Sequence, residues 1–356
     1  MSVKHTAVPS IGQFDGGEPT RRSEMTKTEA VSAPMRVSVV VPTYNASSRL
    51  KATIRSVLAQ TTPPIEVIIV DDGSTDDTKL VCAAFGDAIV YLAVANAGQQ
   101  RARNLGVRRA TGEWIALLDH DDLWHPEYLA ELAAFGHGHA FDLVICNSQT
   151  VREQAATHVL QDGNRFMEFA PADYWRSLGV NPADRWSVLE RYGYAQYLAF
   201  HPAQPSVITI RKDLFQRLGG YDERMRGSSA ENFEFEVRAL RAARVGLIWR
   251  PLVTITRHPG NASVDGSKMA MDLVDCLRFI QDHHDLTPAE RSAVEAELQR
   301  RLPDAMDGAF TLRRFRELRE YRAMLAGPVN MKIQIKCGIA RLPRSIANVC
   351  ADAVTG

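Results

Sequence analysis

The chain has 356 residues, of which 45% are hydrophobic and 24% charged, and its 42 Lys and Arg balance 42 Asp and Glu. That length holds one large α/β domain with appendages or two ordinary domains, with enough apolar residues for a sizeable core. A formal net charge of zero argues against a nucleic-acid binder, which usually carries a basic excess. The five cysteines form no CxxC pair, which points to a reducing cytosolic compartment rather than a disulfide framework or structural zinc.

Residues 1–34 are rich in Ser, Thr, Gly, Pro and charge. They lack the apolar core of a signal peptide and read as a mobile leader. From Val37 the pattern changes: Val37–Val41 is a buried-strand run closed by Pro42. A helix follows, with Ser47 or Ser48 as its cap and Leu50, Ile54, Val57 and Leu58 on one face. Glu66–Val70 is the next strand, ending in Asp71-Asp72-Gly73-Ser74. Ser74 with Asp77 resembles a capping box for a helix through Phe85. Ile89–Val94 reads as a third strand, Gly98–Ala110 as a third helix and Trp114–Leu118 as a fourth strand. No apolar run approaches the ~18–20 residues of a membrane span.

The segment 150–205 is aromatic and weakly periodic, and is expected to be irregular or short-helical structure covering the site. Its rings include Tyr174, Trp175, Trp186, Tyr192, Tyr194 and Tyr197; they can stack on sugar faces or fill a core. Beyond it come a strand at Ser206–Ile210, a short helix at Arg211–Leu218, a helix at Ala230–Ala243 and a strand at Gly246–Thr256 broken at Pro251. After Arg257-His258-Pro259-Gly260 the sequence becomes helical, with a clear helix start at Thr287-Pro288-Ala289-Glu290. Strands alternating with helices imply an α/β fold with a mostly parallel sheet flanked by helices.

In such sheets ligands gather at the carboxyl ends of the strands. Those ends read Pro42-Thr43-Tyr44-Asn45, Asp71-Asp72-Gly73-Ser74 and Asp119-His120-Asp121-Asp122. Three carboxylates in four residues repel unless a cation or donors compensate them, and hard oxygen ligands suit Mg²⁺ or Mn²⁺ bridged to a diphosphate. The plain alternative is that Asp122 with Pro126 starts a helix. Asp71-Asp72-Gly73-Ser74 is either ordinary turn chemistry or a set of acceptors for a ribose or base. Asn96–Asn104 opens a helix whose free N–H groups and Arg101 or Arg103 either attract an anion or stand solvated.

Taken together and in this order, Val39–Asn45, Glu66–Asp76, Asn96–Gly106 and Gly112–Asp122 resemble the family 2 glycosyltransferases, which have the GT-A fold. The likeness continues more loosely through Gly219–Glu223 and Glu231–Glu234 to Arg257-His258, covering roughly 37–260. It implies a GT-A catalytic domain at 35–262, with a nucleotide-binding half (35–125) and an acceptor half (126–262), followed by a helical C-terminal extension (263–356). The implied activity is an inverting transfer from a nucleotide-sugar donor, with UDP the commonest nucleotide and GDP and dTDP still open. Pro42, Thr43, Tyr44, Asn45, Asp72, Gly98, Arg103, Asp119 and His120 then belong to the nucleotide-sugar site, and Tyr44 either stacks on the base or packs in the core. Asp121 becomes the candidate ligand for Mg²⁺ or Mn²⁺, and His258 either a second metal ligand or a contact to the diphosphate.

The family's general base is the Asp of a Glu-Asp pair opening a helix; here the pair reads Glu231-Asn232. Asn232 cannot act as a base, so Glu231 or Glu234 becomes the catalytic candidate. The acceptor class implied is a glycan or lipid-linked saccharide of cell-surface polysaccharide synthesis, with no nucleic acid involved.

The tail, Met331–Lys336 and Ile339–Arg344, mixes apolar residues with cations and has no acid until Asp352. It suits either a peripheral contact with the inner face of a membrane or a packed terminal helix. Oligomeric state is not readable. Two other readings stand beside the enzyme: a silent nucleotide-sugar-binding scaffold, favoured by Asn232, and a nucleotidyltransferase. The latter would show a Gly-rich loop where Pro42-Thr43-Tyr44-Asn45 stands.

Overall fold

The computed structural model describes residues 35–154, 158–261 and 265–355; the expected leader at 1–34 lies outside the described residues. Strand β1 (Val37–Thr43) is buried along its whole length, which is why its sequence does not alternate: both faces are covered. Helix α1 (Leu50–Leu58) buries Leu50, Thr53, Ile54 and Val57 and leaves Leu58 exposed. Neither Ser47 nor Ser48 caps it; the N-cap is Arg49, without a side-chain bond. The loop is instead held from the next crossover. Thr78 Oγ1 accepts from Ala46 N at 2.9 Å, and an Asp76 carboxylate oxygen accepts from Ser47 N at 3.0 Å.

Strand β2 (Glu66–Asp71) is followed by α2 (Thr78–Ala83). The Ser74–Asp77 capping box does not form: Asp77 makes no cap bond, and Ser74 Oγ accepts from Asn45 N across the sheet at 2.9 Å. Strand β3 (Val90–Ala93), helix α3 (Gln99–Arg109) and strand β4 (Trp114–Leu117) complete a parallel half-sheet in the order β3-β2-β1-β4. Gly106 lets α3 lie on that sheet. A Cβ there would stand 2.3 Å from Val40 Cγ1 and 3.2 Å from Val70 Cγ2.

Beyond β4 the sheet turns mixed. Short β5 (Leu123–Trp124) and helix α4 (Tyr128–Gly136) lead to the long strand β6 (Leu143–Gln154) and its partner β7 (His158–Asn164). Helices α5 (Arg165–Glu168) and α6 (Tyr174–Ser177), strand β8 (Trp186–Leu189) and helix α7 (Tyr194–Ala199) follow. The segment expected to be irregular thus contributes a hairpin strand as well as short helices. Tyr174, Trp175, Tyr192, Tyr194 and Tyr197 are buried, with Trp175 edge-on to Trp249 at 5.1 Å. These rings fill a core; they do not offer faces to a sugar.

Strand β9 (Ile208–Arg211) inserts antiparallel between β4 and β6. Helices α8 (Lys212–Arg217) and α9 (Glu231–Ala242) precede β10 (Val245–Arg257). The full order among the described residues is β3-β2-β1-β4-β9-β6-β10-β5, with β7 on β6 and β8 on β10. Strand β10 continues through Pro251, but its register with β6 shifts between Ile248 and Val253. The buried amide of Asn147 spans that break, donating to Trp249 O at 2.8 Å and accepting from Phe166 N at 3.0 Å.

The C-terminal extension comprises α10 (Gly266–His283), α11 (Pro288–Thr311), α12 (Phe315–Met324), α13 (Met331–Ile339) and α14 (Arg344–Thr355). The start of α11 carries the expected Thr287–Glu290 capping box with Pro288 in its first turn. Among the described residues no helix is long and apolar enough to cross a membrane. Because α3 approaches β1 only through a missing side chain, Gly106→Ala is expected to destabilise the protein by about 1–3 kcal/mol. Urea denaturation would measure this, and an unchanged midpoint would contradict the packing described.

Candidate functional site

Three strand-end loops meet at the carboxyl edge of the parallel half-sheet. Pro42 and Thr43 are buried at the end of β1, whereas the Tyr44 ring is 47% exposed, so it is not a core ring. Asn45 adopts a left-handed backbone, φ 47°, and its side-chain oxygen accepts from Thr75 N at 2.8 Å. Asp71 accepts from Ser74 N at 2.8 Å and from the Tyr91 hydroxyl at 2.6 Å. Asp72 is buried and accepts from Ala97 N and Gly98 N, each at 2.8 Å. Its carboxylate therefore bolts the loop before α3 to the end of β2. Gly98 turns there at φ 98°, a conformation that favours glycine.

The three carboxylates after β4 are separated by their partners. Asp119 Oδ1 accepts from Arg103 at 2.7 Å, and its backbone N–H donates to Ser206 Oγ at 3.0 Å. Half-buried His120 accepts at its carbonyl from Thr53 Oγ1 at 2.8 Å. Asp121 Oδ2 meets His258 Nε2 and Asn261 Nδ2, each at 2.9 Å. His258 Nδ1 accepts from Gly260 N at 3.1 Å, which puts the ring proton on Nε2, toward Asp121. Asp122 is buried and accepts from Ser206 Oγ at 2.5 Å and Thr256 N at 2.9 Å. Burial, then its neighbours Asp121 and Asp119, raise its pKa well above the carboxylate range. Asp122 is thus not the helix cap expected from Pro126; α4 has Glu127 at its N-cap, and Asp122 ties β4 to β10.

Arg103 joins this cluster to α9. It projects from the first turns of α3 and is fully buried. Besides Asp119, its guanidinium donates to Asn232 Oδ1 at 3.0 Å, stands 3.7 Å from Glu231 Oε1 and lies over the Tyr221 ring at 5.1 Å. The sequence reading places Arg103 in the nucleotide-sugar site; here its guanidinium is buried and engaged by Asp119 and Asn232, with Glu231 beside it.

Glu231 is only 2% exposed. Its Oε1 accepts from the Gln99 amide, while Oε2 has no partner among the described residues. Burial pushes its carboxyl up to about 7, against the pull of Arg103. Glu234 differs. Both of its oxygens accept from Arg238, Oε1 also meets His284 Nε2 at 2.9 Å, and these partners lower its pKa despite burial. That carboxylate is saturated and remote from base chemistry, which removes it from the catalytic pair expected in the sequence. Asn232 is half-buried, the more exposed of the Glu231-Asn232 pair. The loop before α9 is anchored by the C-terminal extension, where Asp272 accepts from Ser229 N at 2.7 Å.

This arrangement offers a proton-accepting carboxyl with one unpartnered oxygen, linked through Arg103 and Asp119 to the segment that carries Asp121. Asp121 and His258 converge at 2.9 Å; Asp121 offers a hard oxygen, and His258 Nε2 would become a nitrogen ligand on release of its proton. No third His, Cys, Asp or Glu completes a site among the described residues. Mg²⁺ and Mn²⁺ sites of this kind take their remaining ligands from water and substrate phosphates, so the donor set fits. Gln99, Ser206, Asn261 and Asp272 were not singled out in the sequence. Gln99 stands inside the Asn96–Asn104 segment, but nothing local marks any of the four as a partner of a distant carboxylate.

Residues 38–191 match the model of Glycosyl transferase family 2, so this segment is similar to the domain of that family. An uncharacterized glycosyltransferase of Nostoc sp. is 37% identical over 151 residues, 36% of this chain and 47% of that one. The uncharacterized glycosyltransferase YibD of Escherichia coli is 30% identical over 155 residues, 42% of each chain. The chain spans less than half the length of these relatives. Among solved structures, S. aureus TarS 1-349 in complex with UDP superposes with a TM-score of 0.58 at 19% identity, over 90% of this chain and 92% of that one. The fold is therefore of the GT-A type that the sequence led us to expect.

Removing the Arg103 guanidinium would leave Asp119 and Glu231 without their shared cation. Arg103→Met is expected to cost about 3–5 kcal/mol in urea denaturation, with Arg103→Lys intermediate. A loss below 1 kcal/mol would contradict the hub.

Proposed function

We propose that the protein transfers a sugar from a uridine diphosphate donor to a hydroxyl of a glycan or lipid-linked saccharide, inverting the anomeric carbon. We place this in cell-surface polysaccharide synthesis at the inner face of the membrane. The observation that carries the reading is Glu231, a dry carboxyl with one unpartnered oxygen, linked through Arg103 to the Asp119–Asp121 element. The UDP and UDP-GlcNAc complexes of TarS support uridine as the nucleoside. The exposed Tyr44 ring supports stacking on the base, and the Pro42–Asn45 and Gly98 loops would form the floor beneath it.

In this mechanism the acceptor oxygen attacks the anomeric carbon from the face opposite the diphosphate. Its proton passes to Glu231 Oε2, and the bond from carbon to diphosphate oxygen breaks with its electron pair leaving on the nucleotide. Asp121 and His258 would hold Mg²⁺ or Mn²⁺, whose charge stabilises the departing diphosphate. Asp119, fixed by Arg103, and His120 would contact the ribose or sugar. A base with pKa near 7 suits neutral pH, where it is partly free yet strong enough to accept the proton.

A second reading, a silent nucleotide-sugar-binding scaffold, is favoured by Asn232. An amide stands where the resembling family has its base, and it is the more exposed of the pair. UDP release from UDP-GlcNAc and related donors, followed against pH with cell-surface glycan acceptors, separates the two. Glu231 must be deprotonated to act, so the rate should rise about tenfold per pH unit below its pKa of about 7 and level off above it. Glu231→Gln should lose ~10²–10⁴-fold and the pH limb with it. Full activity in Glu231→Gln, or turnover that appears only in Asn232→Asp, would sink the proposal.

A further inference from the structure

The last two helices carry a surface that the transfer reaction does not use. Among the described residues, Met331, Ile335, Leu342, Ile346, Val349 and Val354 are exposed large apolar side chains. They make up half of all such exposed side chains, concentrated at the end of the chain. Met331 is 75% exposed and Val349 69%, values that no core position would show. The end of the turn joining the helices and the first residues of α14, 341–346, are exposed throughout and read Arg-Leu-Pro-Arg-Ser-Ile.

The same segment is cationic. Residues 331–356 hold four Lys and Arg against one Asp, an excess of three cations. The remaining residues hold 38 against 41, so a neutral protein carries its cationic excess on this end. Two of the four cations are satisfied internally: Lys332 and Lys336 pair with Asp307 at 3.1 and 2.7 Å, while Asp352, the one acid, pairs with Arg313 at 2.6 Å. Arg341 and Arg344 are exposed and pair with no carboxylate among the described residues.

We infer that α13, α14 and the turn between them form a docking face for an anionic lipid surface. Apolar side chains interleaved with cations bind such a surface by burying area among the acyl chains while the guanidinium groups meet headgroup phosphates. The charge selects this occupant over a second copy, which would bring the same cationic excess against itself. The contact would hold the transferase domain at a membrane without a spanning helix.

The test is co-sedimentation of the full chain with phosphatidylglycerol vesicles and with phosphatidylcholine vesicles, alongside sedimentation equilibrium without lipid. Binding is expected to the anionic vesicles only, and to weaken as salt shortens the Debye length. Arg341→Glu with Arg344→Glu should lower it at least tenfold, from about fivefold per cation. Ile346→Ser with Val349→Ser should lower it while leaving the salt dependence in place. Both pairs are surface changes, so circular dichroism and UDP binding should match the parent chain. Absence of anionic-vesicle binding, binding unaffected by either pair, or a dimer broken by the serine pair would overturn the inference. Since UDP binding is read separately, failure here is distinguishable from failure of the donor site.

Discussion

One buried guanidinium sets the electrostatics of this protein. Arg103 enters from α3, between the half-sheet that ends in Asp119 and the helix that begins at Glu231. Burying a charged Glu231 without a counter-charge would be costly, and the partly exposed Asp119 gains an ion pair at 2.7 Å. With Arg103 between them, Asp119 is pinned, Asn232 is oriented, and Glu231 is left partly compensated. Partial compensation is the chemically useful condition. A fully paired carboxylate, as Glu234 is, has its basicity removed by its partners; Glu231 keeps an acceptor oxygen and a raised pKa.

Around that contact the site is braced by groups that work across loops. Asp72 holds the start of α3, Asn45 and Ser74 bind each other's loops, and Asp122 with Ser206 fastens β4 to β10. The C-terminal helices add a second brace. Asp272 of α10 fixes Ser229, just ahead of Glu231, and His284 joins Tyr194 to Glu234. The extension therefore supports α9 from behind, and its last two helices pack on one face and expose apolar side chains on the other.

Much of this was legible in the sequence where the signal is local. Strands β1, β2 and β4 are unbroken apolar runs because both of their faces are covered, and their polar ends mark the site edge. The Thr287–Glu290 start of α11 is a short-range motif and forms as read. The misreadings are all long-range. Ser74 and Asp122 look like caps for the helices that follow them, but their oxygens serve backbone groups 29 and 134 residues away in sequence. Arg103 looks like a solvated or anion-binding helix residue until Asp119 and Glu231 are placed beside it. Glu234 looks like a base until His284 arrives from 50 residues away. The insertion of β9 between β4 and β6 leaves no mark on local periodicity, so the change from a parallel to a mixed sheet is not readable from the chain.

The most direct test of the donor site is thermal unfolding with UDP, with and without Mn²⁺, for the parent chain and Asp121→Asn. Nucleotide at about 100 times its dissociation constant should stabilise the parent by roughly 2.7 kcal/mol, and the gain should require both the metal and Asp121. A folded parent chain that gains nothing from UDP and Mn²⁺, or an Asp121→Asn variant that gains as much, would contradict the assignment of Asp121 and His258 to the donor site.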